Sequence, residues 1–198
     1  MRVTIFDYGA GNLHSLAKAL SIPTVSVIVE CDPAAALRTD VLVLPGVGNF
    51  AQAAARLAPE RESIRDALLD GLPALGVCLG MQLLFESSGE GPGCGLAVIA
   101  GRVTRLDAER VPHIGWNTVD DTSDALFSEA PVAHAYFANG FACRPANDAC
   151  ATAWTTHERD RFPAAVRVAR TLGVQFHPEK SSGSGVQFLR AFLAEAAR

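Results

Sequence analysis

The chain has 198 residues, of which 49% are hydrophobic and 19% are charged, a composition that excludes intrinsic disorder and fits one globular domain. The formal net charge is −4 without a long run of either sign, which excludes the basic surface of a nucleic-acid binder. No stretch approaches the roughly 20 apolar residues of a membrane helix, and the N-terminal apolar run is too short for a secretory signal, so we expect a cytoplasmic protein.

The first half of the chain alternates short apolar runs with helical segments, which predicts a mainly parallel sheet with helices on its faces. The predicted strands are residues 3–6, 25–29, 41–44 and 74–77. The predicted helical segments are residues 13–20, 33–37, 51–57, 60–69 and 79–86.

The second half contains short strand candidates joined by turns, which indicate antiparallel strands added to the parallel core. These candidates are residues 97–99, 101–106, 116–119, 132–137, 165–168 and 171–176, and a final helix is predicted over 184–197. The expected fold is therefore a single α/β domain over residues 1–198. It has an open, mainly parallel central sheet flanked by helices, with antiparallel strands in the C-terminal half.

The cysteine spacing matches no metal or dithiol motif. The five cysteines are Cys31, Cys78, Cys94, Cys143 and Cys150. No C-x-x-C pair occurs, so we predict neither a zinc knuckle nor a thioredoxin-type motif, and no bound metal. Four of the five fit small core or loop residues, whereas the sequence around Cys78 favours cysteine chemistry.

Cys78 follows a predicted buried strand and stands between two glycines. Gly76 and Gly80 flank it, and residues with good helix propensity come next. This strand, turn and helix pattern is that of a nucleophile elbow with cysteine in place of serine. The helix N-terminus would favour the thiolate, and the backbone amide of Leu79 would be a natural oxyanion donor. The alternative is a structural cysteine packed between strand and helix.

His177 is the candidate base for this cysteine. It follows a predicted strand, and Glu179 lies two residues further on, with Pro178 stiffening the turn between them. A carboxylate so placed can hold one imidazole nitrogen while the other nitrogen faces a thiol. The alternative is a loop histidine beside a surface glutamate.

The glycines near the N-terminus do not predict a nucleotide site. Gly9 and Gly11 match two glycines of a dinucleotide fingerprint, but His14 occupies the position of the third, and we find no convincing ribose-binding acid. We therefore expect no cofactor.

Five motifs occur along nearly the whole chain. They are Asp7-Tyr-Gly-Ala-Gly-Asn-Leu13, Leu44-Pro-Gly-Val-Gly-Asn-Phe50, Gly76-Val-Cys-Leu-Gly-Met-Gln-Leu-Leu-Phe85, Pro112-His-Ile-Gly-Trp-Asn117 and Gly173-Val-Gln-Phe-His-Pro-Glu-Lys-Ser181. In content and order this set resembles the class I, triad-type glutamine amidotransferases, and in particular the branch that serves as glutaminase subunits of imidazole glycerol phosphate synthase. The resemblance implies a flavodoxin-like α/β fold.

The resemblance implies that Cys78 attacks the side-chain amide of glutamine, that His177 acts as general base and then acid, and that Glu179 orients His177. A glutamyl thioester would form, ammonia would leave, and water would release glutamate. The implied oxyanion hole uses backbone amides of Gly46, Val47, Gly48 and Leu79. The implied glutamine-binding residues are Gln82, Glu90, Asn139 and Gly140. For Glu90, a solvated loop acid is the alternative.

One segment departs from the family pattern. Where the family has Tyr-Phe-Val-His-Ser/Thr-Tyr, this chain has Tyr136-Phe-Ala-Asn-Gly-Phe141. Asn139 replaces the histidine, Gly140 the hydroxyl residue and Phe141 the tyrosine. The Gly140 backbone can still hold the glutamine carboxylate, but any hydroxyl contribution is lost. The departure concerns glutamine affinity and coupling to a partner, not the reaction type.

The resemblance also implies a partner, a separate TIM-barrel cyclase chain that forms a heterodimer with this one and receives its ammonia. The implied docking residues are Asn12, His113, Trp116, Asn117 and Lys180. Glutaminase subunits of anthranilate, aminodeoxychorismate or pyridoxal phosphate synthases are the nearest alternatives, and Met81 with the 112–117 segment favours the histidine pathway over them. A non-catalytic regulatory subunit and a peptide-cleaving cysteine hydrolase are alternatives from other classes.

Overall fold

A computed structural model describes residues 1–9, 13–46 and 48–198. Twelve strands occur in the described ranges: β1 Arg2–Phe6, β2 Ser26–Glu30, β3 Val41–Leu44, β4 Ala74–Val77, β5 Ser87–Ser88, β6 Gly101–Arg105, β7 His113–Thr118, β8 His134–Asn139, β9 Phe141–Pro145, β10 Ala151–His157, β11 Asp160–Val168 and β12 Thr171–Val174. The α-helices there are α1 His14–Leu20, α2 Pro33–Ala36, α3 Phe50–Leu57, α4 Arg61–Leu69, α5 Leu79–Gln82, α6 Ala125–Glu129 and α7 Ser182–Ala196.

Seven strands form the central sheet, in the order β10-β11-β12-β4-β3-β1-β2. The five strands from β12 to β2 pair in parallel, whereas β11 pairs antiparallel with both β10 and β12. Two small sheets, β5-β6-β9 and β7-β8, accompany it. The predicted α/β fold, with a mainly parallel sheet and antiparallel additions in the C-terminal half, is confirmed.

Four of the five parallel strands, β1, β3, β4 and β12, are mostly buried on both faces, which explains why they read as continuous apolar runs, whereas β2 at the sheet edge is partly exposed. In β3, Val41 and Val43 pack into the core that holds Phe188 of α7, while Leu42 and Leu44 pack into the core on the opposite face. Side chains alternate across a strand, so one short run supplies both cores.

Two predicted elements are wrong, for a common reason. The helix predicted over 79–86 ends at Gln82, and residues 97–99 form no strand. The carbonyl of Leu84 accepts from the amides of Val98 (2.9 Å) and Ile99 (3.0 Å), and the carbonyl of Leu83 accepts from the Leu96 amide at 2.7 Å. These long-range bonds replace the helical ladder in one segment and a sheet partner in the other.

Four elements were not predicted: β5, β9, β10 and α6. Strand β9 contains an arginine and ends on a proline, both unusual in a buried strand. Nevertheless, β9 pairs antiparallel with β6 along its whole length. Tertiary pairing outweighs local propensity here.

Gly80 sits where helix α5 crosses β3 most closely. A Cβ at this position would lie 1.9 Å from the Leu44 carbonyl oxygen, a contact that backbone movement alone can relieve. We expect Gly80→Ala to lower the free energy of unfolding by at least about 3 kcal/mol, measured by denaturant titration.

Gly183→Ala in α7 is the matched control, because its Cβ would meet nothing within 4 Å. That substitution should be neutral or stabilise the protein by about 0.5–1 kcal/mol. Equal effects of the two changes would contradict the close packing of α5 on β3.

Candidate active site

The candidate site forms at the carboxyl edge of three neighbouring parallel strands. Strand β3 leads into Gly46, β4 leads into Cys78, and β12 leads through Gln175 to His177. The central sheet places β4 between β3 and β12. This edge of an open α/β sheet is where such folds bind ligands, because the loops leaving adjacent strands meet there.

Cys78 has the backbone strain of a nucleophile elbow. Its φ of 46° and ψ of −101° are unusual for a residue that is not glycine. The Cys78 amide donates to the Val174 carbonyl at 2.7 Å, which ties the turn to β12. A Cβ on Gly76 would lie 2.7 Å from the Gly80 carbonyl carbon, so closure of the turn requires glycine at position 76, while the Leu44 carbonyl of β3 requires glycine at position 80.

His177 and Glu179 form a buried pair beside the thiol. The imidazole Nδ1 lies 2.8 Å from Glu179 Oε1, and both side chains are more than nine-tenths buried. Burial by itself lowers the pKa of His177, but hydrogen bonds to Cys78 and Glu179 and their negative charges outweigh it and raise the pKa to about 10. At neutral pH, this environment favours the protonated form of the His177 imidazole.

The backbone around His177 is fixed by strand β8 and Ser181. The His177 amide donates to the Tyr136 carbonyl at 2.8 Å. The fully buried Ser181 hydroxyl donates to the His177 carbonyl at 2.7 Å and accepts from the Tyr136 amide at 2.9 Å. Sequence reasoning gave Ser181 no role, and its signal was weak because a serine after His-Pro-Glu is unremarkable by itself.

Of the predicted oxyanion residues, Gly46 lies against Cys78 and His177, and Gly48 and Leu79 line the cleft beside the thiol. A Cβ on Gly46 would come within 2.9 Å of His177 Cε1 and 3.0 Å of Cys78 Cβ, so only a glycine backbone fits there. Gly48 adopts a φ of 105°, a left-handed conformation that favours glycine. Val47, the third predicted residue of this loop, lies outside the described residues.

A small cleft of about 90 Å³ opens beside the thiol. It is lined by Gly46, Gly48, Cys78, Leu79, Gln82, Glu90, Ala138, Asn139, Gly140 and Phe141. The sequence-predicted nucleophile thus shares one cavity with the described oxyanion candidates and all four predicted glutamine-binding residues. A substrate held there would lie against Cys78.

Glu90 is an exposed loop residue whose carboxylate is held by a hydrogen bond. Its Oε2 accepts from the Phe50 amide at 2.9 Å, at the start of α3. The same carboxylate lines the cleft, where it can meet a positively charged group of a ligand. Its position at the cleft is compatible with the binding interpretation, and its exposure in a loop is compatible with a solvated acid.

The unusual Asn139-Gly140-Phe141 segment also lines the cleft. The buried Asn139 amide donates to the Phe141 carbonyl at 3.0 Å. A Cβ on Gly140 would have 3.6 Å to its nearest neighbour, so sterics do not require glycine at this position. Its backbone borders the cleft.

Gln175 is a second polar residue of the site that was not predicted from the sequence. It is completely buried, and its Nε2 lies 3.4 Å from Cys78 Sγ. The two-residue spacing to His177 was the available signal, because residues i and i+2 of an extended segment face the same side.

Of the predicted docking residues, Trp116 and Lys180 lie on the surface. Trp116 is 54% exposed and contacts Tyr136 edge to face at a centroid distance of 6.4 Å. The Lys180 ammonium lies 5.9 Å from the same tyrosine ring. Ile114, 64% exposed, extends this apolar patch along β7. Asn12 lies outside the described residues.

His113 and Asn117 point inward from the same strand. Asn117 Nδ2 donates to the Thr156 carbonyl at 2.9 Å. His113 is 5% exposed and stacks between Phe137 and His157, at centroid distances of 5.2 and 4.2 Å. A docked partner would contact the residues around His113 rather than the His113 side chain itself.

Burial, reinforced by the nearby His157, lowers the pKa of His113 to about 4. The unfolded chain therefore binds the proton more readily than the folded one between pH 4 and 6.5, and stability falls as the pH falls through this window. The full loss is about 3 kcal/mol. We expect His113→Phe, which keeps a ring in the stack, to flatten this slope in unfolding experiments at pH 4 to 7.

The exposed His134 on β8 provides the control for this experiment. His134→Phe should leave the pH dependence as in the unaltered protein. An unchanged slope in the His113 variant would mean that this histidine is not held neutral.

The described residues hold no group of three or more His, Cys, Asp or Glu side chains suited to a metal ion. Within the same ranges, no helix is long and apolar enough to cross a membrane. What the site presents is a cysteine, a base and an orienting carboxylate beside a polar cleft. This arrangement supports nucleophilic acyl transfer through sulfur.

Comparison with known proteins gives a consistent picture. The family model described as glutamine amidotransferase class-I matches residues 4–196. Proteins named imidazole glycerol phosphate synthase subunit HisH are similar over nearly the whole chain. The protein from Pyrococcus furiosus is 40% identical over 194 residues, covering 96% of this chain and 97% of the relative. The protein from Symbiobacterium thermophilum is 43% identical over 194 residues, covering 95% and 91%.

Solved structures agree at the level of the fold. A crystal structure of a glutamine amidotransferase superposes with a TM-score of 0.77 at 18% identity, covering 99% of each chain. Another, from Thermotoga maritima, has a TM-score of 0.70 at 17% identity and covers 100% of this chain and 98% of the other.

Proposed function

This chain belongs to the class-I glutamine amidotransferase family, and on that premise we propose that it acts as the glutaminase subunit of an imidazole glycerol phosphate synthase in histidine biosynthesis. The observation that carries the proposal is the buried Cys78–His177–Glu179 arrangement beside a cleft lined by polar groups. The reaction converts glutamine and water into glutamate and ammonia.

The first half-reaction forms a thioester. The Cys78 thiol proton passes to His177, and Sγ attacks the side-chain amide carbon of glutamine. The C–N bond then breaks, and the proton on His177 passes to the leaving nitrogen, which departs as ammonia. Glu179 holds the Nδ1 proton of His177 throughout, so that Nε2 faces the reacting atoms.

The second half-reaction hydrolyses the thioester. His177 accepts a proton from water as the water oxygen attacks the carbonyl carbon. The C–S bond breaks, glutamate leaves, and the sulfur regains its proton from His177. In both halves, the tetrahedral oxyanion would receive hydrogen bonds from the Leu79 amide and from the loop of Gly46, Val47 and Gly48.

Glutamine binding is assigned to the cleft. We assign Gln82 and Glu90 to its polar groups because both line the cleft, and a carboxylate such as Glu90 suits the α-ammonium group. We assign the backbone at Asn139 and Gly140 to the α-carboxylate. The hydroxyl side chain of the family pattern is replaced by Gly140.

The ammonia is delivered to a partner subunit, which we assign as a TIM-barrel cyclase forming a heterodimer with this chain in the cytoplasm. The relatives are named as synthase subunits, which supports a partner on a separate chain. The exposed patch of Ile114 and Trp116, with Lys180 beside it, supports a docking face on β7. Direct transfer matters because free ammonia would be protonated in neutral water.

The test is glutamate release from glutamine by the purified chain, alone and mixed with a cyclase barrel and its ribotide ligand. We expect little activity alone and strong stimulation in the mixture. Full activity without the barrel, or stimulation by an anthranilate-type synthase instead, would overturn the assigned partner. No glutamate under any condition would overturn the glutaminase assignment.

A further inference from the structure

Gln175 contacts the reacting sulfur from the side of β12. Its side chain is fully buried, and Nε2 lies 3.4 Å from Cys78 Sγ, which is hydrogen-bond distance for a sulfur acceptor. Its Oε1 lies 3.2 Å from Gln82 Nε2. The Gln82 nitrogen also lies 3.1 Å from the Phe141 carbonyl oxygen. These contacts form one continuous hydrogen-bonded chain from a backbone carbonyl to the nucleophile.

The Phe141 carbonyl fixes the donor and acceptor of every hydrogen bond in this series. The Phe141 carbonyl can only accept, so the amide group of Gln82 must present nitrogen to it. The same nitrogen faces Gln175, so the Gln175 atom there must be oxygen. The remaining nitrogen of Gln175 therefore faces Cys78. A flipped Gln175 amide would set two NH₂ groups against each other and turn an oxygen towards the sulfur.

On this basis, and resting on the glutaminase function proposed above, we propose that Gln175 is a catalytic residue that stabilises the Cys78 thiolate by donating a hydrogen bond to Sγ. Gln82 is then also a positioning residue, because its amide fixes the orientation of the Gln175 amide. This role is additional to the substrate contact assigned to Gln82.

Because Cys78 is buried, a hydrogen bond to its sulfur is important for stabilising the thiolate. A thiolate withdrawn from water loses its hydration, and that loss must be offset by charges or donors within the protein. His177 supplies a positive charge on one side of the sulfur, and Gln175 supplies an N–H on another. The sulfur is anionic at two moments, before it attacks glutamine and after the C–S bond of the thioester breaks. Gln175 would donate to the anionic sulfur at both moments, whereas the oxyanion amides would donate to the substrate oxygen.

The competing explanation is that Gln175 only satisfies buried polar groups and helps the site to pack. Thiolate reactivity separates the two roles, and it needs no glutamine turnover. We would measure the rate at which iodoacetamide labels Cys78 at pH 7 in the complex with the cyclase, locating the label by peptide fragmentation in a mass spectrometer. The exposed Cys31 of the same chain serves as an internal reference.

Gln175→Met keeps the length of the side chain and removes the donor. We expect about a tenfold fall in Cys78 labelling, the scale of a lost hydrogen bond to a charged group, with Cys31 labelling unchanged. Gln82→Met leaves the Gln175 donor in place but removes the contact that orients its amide. We therefore expect a smaller fall in Cys78 labelling, of about threefold. Gln187→Met, the same change at an exposed position of α7, should have no effect.

Unchanged Cys78 labelling in folded Gln175→Met protein would overturn the proposal, and if that variant does not fold, unchanged labelling in Gln82→Met would do so. The unaltered complex distinguishes this failure from that of the proposed function. Glutamate release there, together with unchanged labelling in both variants, removes the role of Gln175 but leaves the glutaminase intact.

Discussion

Cys78→Ala is expected to abolish glutamine hydrolysis by the assembled enzyme, lowering kcat by about 10⁵-fold or more, while ammonia-dependent synthesis by the partner continues. The thioester forms on Sγ, and no other thiol lines the cleft in the described part of the chain. Loss of a nucleophile removes the whole covalent route, leaving only binding and oxyanion stabilisation.

Two assays on the same sample test this prediction, one supplied with glutamine and one with ammonium salt at alkaline pH. Cys31→Ala is the control, because Cys31 is exposed and far along the chain from the elbow. Residual glutamine-dependent activity in Cys78→Ala within about 100-fold of the unaltered enzyme would contradict nucleophilic catalysis by this cysteine.

Glu179→Gln is expected to lower kcat by about 10³- to 10⁴-fold with little change in KM. The carboxylate accepts from Nδ1 of His177 at 2.8 Å and so selects the tautomer that directs Nε2 at the thiol. A neutral amide can present its NH₂ group instead and stabilise the wrong tautomer. Its loss also removes one of the interactions that raise the pKa of His177 to about 10.

Glu179→Gln should also shift the pH–rate profile in a defined direction. Without the Glu179 charge the pKa of His177 falls, so the imidazolium loses its proton at lower pH, and the alkaline limb of the pH–rate profile moves to lower pH. Glu62→Gln on α4, an exposed position, serves as the control. A kcat within threefold of the unaltered enzyme would mean that Glu179 does not orient the base.

Much of the fold was predictable because the inner parallel strands are apolar on both faces. The run over Val41–Leu44 could be assigned from composition alone, since each of its side chains enters one of two cores. The segment after Gln82 could not be assigned in this way. Its carbonyls bond to a segment more than ten residues further on, and local propensity carries no information about that pairing.

The site was predictable where a local pattern reflects local geometry. Gly76 precedes Cys78 because the elbow closes on itself, and Glu179 reaches His177 across a single proline. Gln175 was not predicted, since its partners lie 93 and 97 residues away along the chain. The inward orientation of His113 was likewise not predictable, because the rings it stacks on, Phe137 and His157, approach it only in the folded chain.

The most direct test of the central claim, that Cys78 is the nucleophile for a glutamine-shaped substrate, is covalent labelling by a diazoketone analogue of glutamine. The chain in complex with its partner would be treated with the analogue and its labelled cysteines identified by mass spectrometry. We predict a single adduct on Cys78, which excess glutamine prevents and which is absent in Cys78→Ala. Labelling confined to the exposed Cys31 or Cys94, or an adduct on Cys78 that glutamine does not prevent, would contradict the account.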